Sequence, residues 1–172
     1  MIKTIGLLLV FISASGVGLI LGSQYSSRVR QIKHLKIALQ MLETEIVYSN
    51  TPLPLAFESV LMRCENPIKK LFTSAVEMLN KRTYSTVGEA FEASLEETKE
   101  FFSLKKEDME ILKSFGYSLG NSDVEGQIKS FSVIIKQLDS LEIKAEELRQ
   151  KNERMYKHLG YLSGLAIVII LM

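Results

Sequence analysis

Few residues of this chain are of the types that do covalent or metal chemistry. There are two histidines, His34 and His158, and one cysteine, Cys64. Each histidine stands among basic residues beside an apolar stretch, a poor setting for a metal cation. Both read as interfacial surface residues; the alternative is that they approach one another where two helices meet the membrane. Cys64 follows Arg63, a neighbour able to lower a thiol pKa. Without a histidine nearby in sequence, it reads as a small residue at a helix end. One cysteine permits no internal disulfide, which fits a reducing compartment. No glycine-rich phosphate loop, His-Glu-x-x-His stretch or nucleophile elbow is present. The chain reads as a non-enzyme, with no cofactor and no metal expected.

The most concentrated chemistry is acidic. Glu89, Glu92, Glu96 and Glu100 fall on one side of a helix whose other side carries Val87, Phe91, Leu95 and Phe102. Glu97 extends the acidic side, and Lys99 is its one basic interruption. Such a row is ordinarily a solvated face. The sharper expectation is a docking stripe for a basic partner such as an ATPase.

These residues must be positioned by helices. The run Ile5 to Gly22 holds eighteen residues without a charge, roughly 27 Å as a helix and close to the bilayer core. It is long for a cleaved signal peptide and lacks an Ala-x-Ala-like site after it, so a retained span is expected. At the other end, Leu159 to Met172 covers only about 21 Å as a helix. It is apolar around its whole circumference, unlike a core helix with a polar face. Crossing there needs snorkelling by Lys157 or local thinning of the bilayer. The expected division is a transmembrane helix over residues 1–23, a helical domain over 24–157 and a C-terminal span over 158–172.

Basic residues orient both spans. Arg28, Arg30, Lys33 and Lys36 follow the first, and Arg149, Lys151, Arg154 and Lys157 precede the second. The positive-inside rule puts the bulk of the chain in the cytoplasm and both termini across the membrane. Small residues recur at four-residue spacing in both spans, as Ala14, Gly18 and Gly22 and as Gly160 and Gly164. On helices these make faces that let another backbone come close.

Between the spans the pattern is helical throughout. Val29, Ile32, Leu35, Leu39, Leu42 and Ile46 recur at steps of three and four, which predicts an amphipathic helix. Asn50, Pro52 and Pro54 end it. Shorter helices follow over about 55–63, from Pro67, from the capping box Thr86–Glu89 to about Phe102, and over about 105–119. A second capping box, Ser122–Glu125, opens a seam of Phe131, Ile134, Leu138, Leu141, Ala145, Leu148, Asn152, Met155 and Leu159. Asn152 at a seam position either fixes register or marks a wet end. No stretch alternates as a strand does. The expected fold is all-α: an antiparallel bundle of about six helices, two long ones forming a stalk, flanked by the two membrane helices. With 21 basic and 20 acidic residues in 172, the chain is one domain by length and no general binder of nucleic acid.

Four stretches carry a resemblance: "LETEIVYSNTPLPLAFE", "NPIKKLF", "GEAFEASL" and "LGNSDVEGQ". Together with the two apolar ends they closely resemble the stage III sporulation protein AB family of endospore-forming bacteria. More distantly, the helical region is similar to the cytoplasmic domain of F-type inner-membrane platform proteins of type II secretion. It departs from those in having one helical domain and a smaller membrane region. The resemblance implies a component of the mother-cell membrane, in a secretion-like channel joining mother cell and forespore. It also implies contact with other channel subunits and with a secretion-type ATPase, and oligomers to complete a platform. The other reading is a membrane-anchored signalling adaptor whose paired stalk helices relay a shift; the near absence of residues outside the membrane favours the platform.

Overall fold

The computed structural model describes residues 2–81, 84–120 and 123–171. Among the helical residues, the burial of 2–8, 10, 11, 14, 15, 157, 164, 168, 170 and 171 falls outside the description. The described residues are all helical or loop, without a strand. Six α-helices follow in order: α1 (Ile2–Glu43), α2 (Leu53–Leu61), α3 (Ile68–Lys81), α4 (Val87–Thr98), α5 (Lys106–Ser118) and α6 (Val124–Leu171). Among the described residues, no helix is long and apolar enough to cross a membrane. Much of the run Ile5–Gly22 lies on residues whose side chains are not described.

The chain forms two compact units. One comprises Arg30–Glu142, the other Met1–Val29 with Ile143–Met172. Residues 24–29 and 143–157 therefore pack with the two ends.

In the 30–142 unit, the predicted apolar line of α1 is buried: Ile32, Leu35, Leu39 and Leu42 are essentially inaccessible. Phe131, Ile134, Leu138 and Leu141 of α6 are buried likewise. Lys36 Nζ donates to Asp139 Oδ1 at 2.9 Å and to Glu142 Oε2 at 2.7 Å. Lys33 lies 3.7 Å from Glu142. Numbers rise along one helix as they fall along the other, so the pair is antiparallel. Each fully buried Leu, Ile or Phe stabilises by roughly 1.5–3 kcal/mol, whereas an exposed ion pair contributes about 0.2–1 kcal/mol. The apolar line therefore holds the pair, and the lysines orient it.

The short helices supply the rest of this core. Phe57 of α2 packs on Phe72 of α3 at 5.3 Å between ring centroids and on Phe91 of α4 at 6.1 Å. Phe115 of α5 meets Phe131 of α6 edge-on at 5.1 Å. The box at Thr86 forms: its Oγ1 accepts from the Glu89 N–H at 3.1 Å, and Glu89 Oε2 accepts from the Thr86 and Ser85 N–H groups. This satisfies donors that a helix start leaves open. The second box begins at Ser122, outside the described residues; there Asp123 Oδ1 accepts from the Gly126 N–H at 3.0 Å.

Two expectations need correction. α1 does not continue regularly to Ser49 but ends in a π-helical turn over Thr44–Tyr48, with Asn50 at φ 51°. The seam of α6 also fails beyond Ala145. Leu148 is only half-buried, and Met155 and Leu159 are about half exposed. A straight helix has 3.6 residues per turn, so a line drawn at 3.5 drifts off the buried face after two or three heptads. The face that packs in the other unit passes through Glu153, Tyr156 and Gly160 instead. Asn152 donates to the Leu148 carbonyl of its own helix at 3.0 Å, a local bond that sets no register.

Two glycines set the distance between α4 and α5. A Cβ on Gly88 would lie 2.8 Å from the Tyr117 Cα, and one on Gly116 would lie 2.6 Å from Phe91 Cδ1. Each helix thus gives a gap to the other's aromatic residue. Alanine normally stabilises a helix interior by about 1 kcal/mol over glycine, but overpacking costs roughly 1–3 kcal/mol. At Gly88 the obstacle is backbone, which no rotamer change can remove. We expect Gly88→Ala to lower Tm in thermal unfolding of the detergent-solubilised chain; a higher Tm overturns this account of the helix pair.

Candidate functional site

The acidic residues of α4 do not act as one stripe. Glu89 is taken up by the helix cap. Glu92 turns toward α5, accepting from the Tyr117 hydroxyl at 2.6 Å and lying 3.2 Å from Lys113 Nζ. These donors hold its carboxyl below the usual range, Tyr117 contributing most, while the same bond raises the Tyr117 phenol. Glu96 pairs with Lys99 of the same helical stretch. Glu97 accepts from Ser74 of α3. Glu100 is exposed in the short 3-10 turn Lys99–Phe101. The row therefore braces α4 against both neighbours, leaving Glu96 and Glu100 as its most outward members.

A carboxylate not singled out from sequence does more. Glu45, in the π-helical turn, accepts from Ser59 Oγ at 2.6 Å and from Thr51 Oγ1 at 3.1 Å. Its carbonyl accepts from the Thr51 N–H at 2.9 Å. One residue thus ties the end of α1, the Pro-Leu turn and α2 together. Tyr48, Leu55 and Met62, in the π-helical turn, in α2 and just after it, are exposed. The acidic residue and the Pro-Leu turn were legible in the motif; the two hydroxyls that meet the carboxylate were not, because Ser59 lies fourteen positions away.

Cys64 departs from the electrostatic expectation. Burial raises its thiol pKa, and the adjacent Arg63 does not reverse this. The thiol lies in a hollow of about 240 Å³ with His34, Ile37, Met41, Glu65 and Ile68. A raised pKa leaves little thiolate, which suits a structural cysteine. Among the described residues, no three His, Cys, Asp or Glu gather as a metal site.

In the unit formed by the two ends, Gly18 lies against Gly160. A Cβ on Gly18 would fall 2.6 Å from the Gly160 Cα and 2.8 Å from the Tyr156 carbonyl oxygen. Gly22 is also buried. The packing of Ala14 and Gly164 lies outside the description. Tyr25 and Tyr156 stack at 5.8 Å, and Ser26 Oγ donates to Glu153 at 2.8 Å. Here too the helices run antiparallel.

An all-helical unit built on paired long helices, a Pro-Leu turn clamped by one carboxylate, and glycines at both close approaches invites comparison with known proteins. The family described as stage III sporulation protein AB matches residues 3–172. The chain belongs to that family. It is 36% identical over 172 residues to the stage III sporulation protein AB of Bacillus subtilis strain 168, covering all of both chains. A solved structure of a stage III sporulation protein AB aligns with TM-score 0.68 at 36% identity, over 73% of this chain and 98% of that one. Membership of the sporulation protein AB family is consistent with a role in endospore formation.

The Glu45 clamp generates a pH prediction. Hydrogen bonds from Ser59 and then Thr51 lower its folded-state pKa from the ordinary 4.5. A depressed carboxyl pKa contributes stability above the unfolded value, which is lost as pH falls through the folded one. Glu45→Gln should therefore lower Tm near neutral pH, with the difference from wild type shrinking below about pH 4. A deficit independent of pH would assign the effect to shape alone.

Proposed function

We propose that this member of the sporulation protein AB family is a non-catalytic, membrane-anchored platform component of a secretion-like channel between mother cell and forespore. Its helical bulk faces the mother-cell cytoplasm, and both termini cross the membrane. One observation carries the membrane part. In the unit formed by the two ends, large apolar side chains point outward on both helices: Leu9, Val17 and Ile20 on α1, and Leu162, Leu165 and Ile169 on α6, each more than half exposed. Large apolar side chains exposed repeatedly along a pair of helices are the ordinary outside of helices in lipid. The glycine contact between the helices has the form that replaces hydrophobic burial where lipid surrounds the pair. The basic residues flanking both runs support the orientation.

The platform part rests on family membership and on a head of short helices carried by two long ones. Partners are other channel subunits, further copies of the chain and an ATPase received by the outward carboxylates of α4. Glu96 and Glu100 suit a docking test better than Glu92, whose reversal would break the α4–α5 contact. Glu96→Lys with Glu100→Lys should weaken co-purification of the ATPase and flatten its salt dependence. Unchanged capture at every salt concentration removes the stripe from the interface.

Topology is the decisive test of the whole reading. In a Cys64→Ser background, Lys81→Cys should resist a membrane-impermeant maleimide in intact cells and react after permeabilisation. Labelling of intact cells places the head outside and ends the platform proposal.

A further inference from the structure

The outward face of α6 changes character along its length. Lys151, Arg154, His158, Leu162, Leu165 and Ile169 recur at steps of three and four, so they share one side of the helix. All six are exposed. Two of the three acidic residues of this stretch, Glu146 and Glu153, are engaged by Arg149. Glu146 holds Arg149 through two bonds of 2.8 and 2.5 Å, and Glu153 takes a third from Arg149 and one from Ser26. Glu147 is the acidic residue that shares the outward side. Lys151 and Arg154 therefore face out with Glu147 as the acidic residue beside them, while Glu146 and Glu153 are engaged by Arg149. An open hollow of about 540 Å³, lined by Arg149, Gln150, Glu153 and Arg154, lies beside them. Arg154 stands about 7.5 Å along the axis from the apolar residue Leu159, one headgroup layer away.

We propose that this face seats an anionic phospholipid, its phosphate against Arg154 and Lys151, and its acyl chains along Leu162, Leu165 and Ile169. The inference rests on the membrane reading above. Charge complementarity favours lipid over an acidic protein, because the basic segment passes without a break into apolar surface that a soluble partner would leave uncovered. Basic residues near an anionic surface contribute about 1 kcal/mol each, equivalent to roughly fivefold in partition.

The test uses the full chain in nanodiscs made from an equal mixture of phosphatidylcholine and phosphatidylglycerol. After partial delipidation in detergent, retained lipid is measured by mass spectrometry. Wild type should keep phosphatidylglycerol over phosphatidylcholine by roughly 25-fold at low salt, about fivefold from each of the two basic residues, declining as salt rises. Lys151→Gln with Arg154→Gln should bring the ratio close to one. Glu147→Gln, which removes the opposing charge, should raise it. A wild-type ratio of one, in a chain that resists alkaline carbonate extraction, overturns the lipid site alone. A wild-type chain released by carbonate overturns the membrane reading and the lipid site together.

Discussion

Two long helices with narrow apolar faces cannot stay apart in water. In the 30–142 unit that constraint comes first, and the other elements follow from it. Ile32, Leu35, Leu39 and Leu42 of α1 and Phe131, Ile134, Leu138 and Leu141 of α6 are all buried. The short helices pack on one another through Phe57, Phe72 and Phe91, and Phe115 of α5 joins them to Phe131 of α6. Polar groups then adjust position within a packing already decided by apolar area, since their individual contributions are smaller.

The same chain solves a different problem at its ends. There the helices approach through glycine, and large apolar side chains remain outside. In water this would be a costly arrangement, because association is normally driven by hiding such side chains. On the proposed membrane reading the outside is apolar as well, and close backbone packing takes the place of apolar burial. The two units thus show opposite relations between apolar residues and their surroundings, and the change falls close to the basic residues that flank each run.

Much of the head is legible in the order of its residues. Steps of three and four between apolar residues predict the buried line of α1, and Thr86–Glu89 predicts the start of α4. The carboxylates of α4 are less legible. Periodicity places them on one side of a helix but does not reveal their donors, which come from α3, from α5 and from the helix itself. Glu45 likewise stands within a recognisable motif that gives it no role, since its hydroxyl partners stand across the π-helical turn and the Pro-Leu turn.

Local rules are written in neighbouring residues. Helical class, the Thr86–Glu89 cap, the break near Pro52 and the apolar ends therefore followed from the sequence by itself. Interactions between helices depend on which residues a distant segment brings near. The gaps at Gly88 and Gly116, the contact of Gly18 with Gly160, and the bond from Ser26 to Glu153 were decided only by tertiary structure. The drift of the α6 seam lies between the two. Its repeat was visible in sequence, but the 3.6-residue turn of the folded helix determined where the repeat left the buried side.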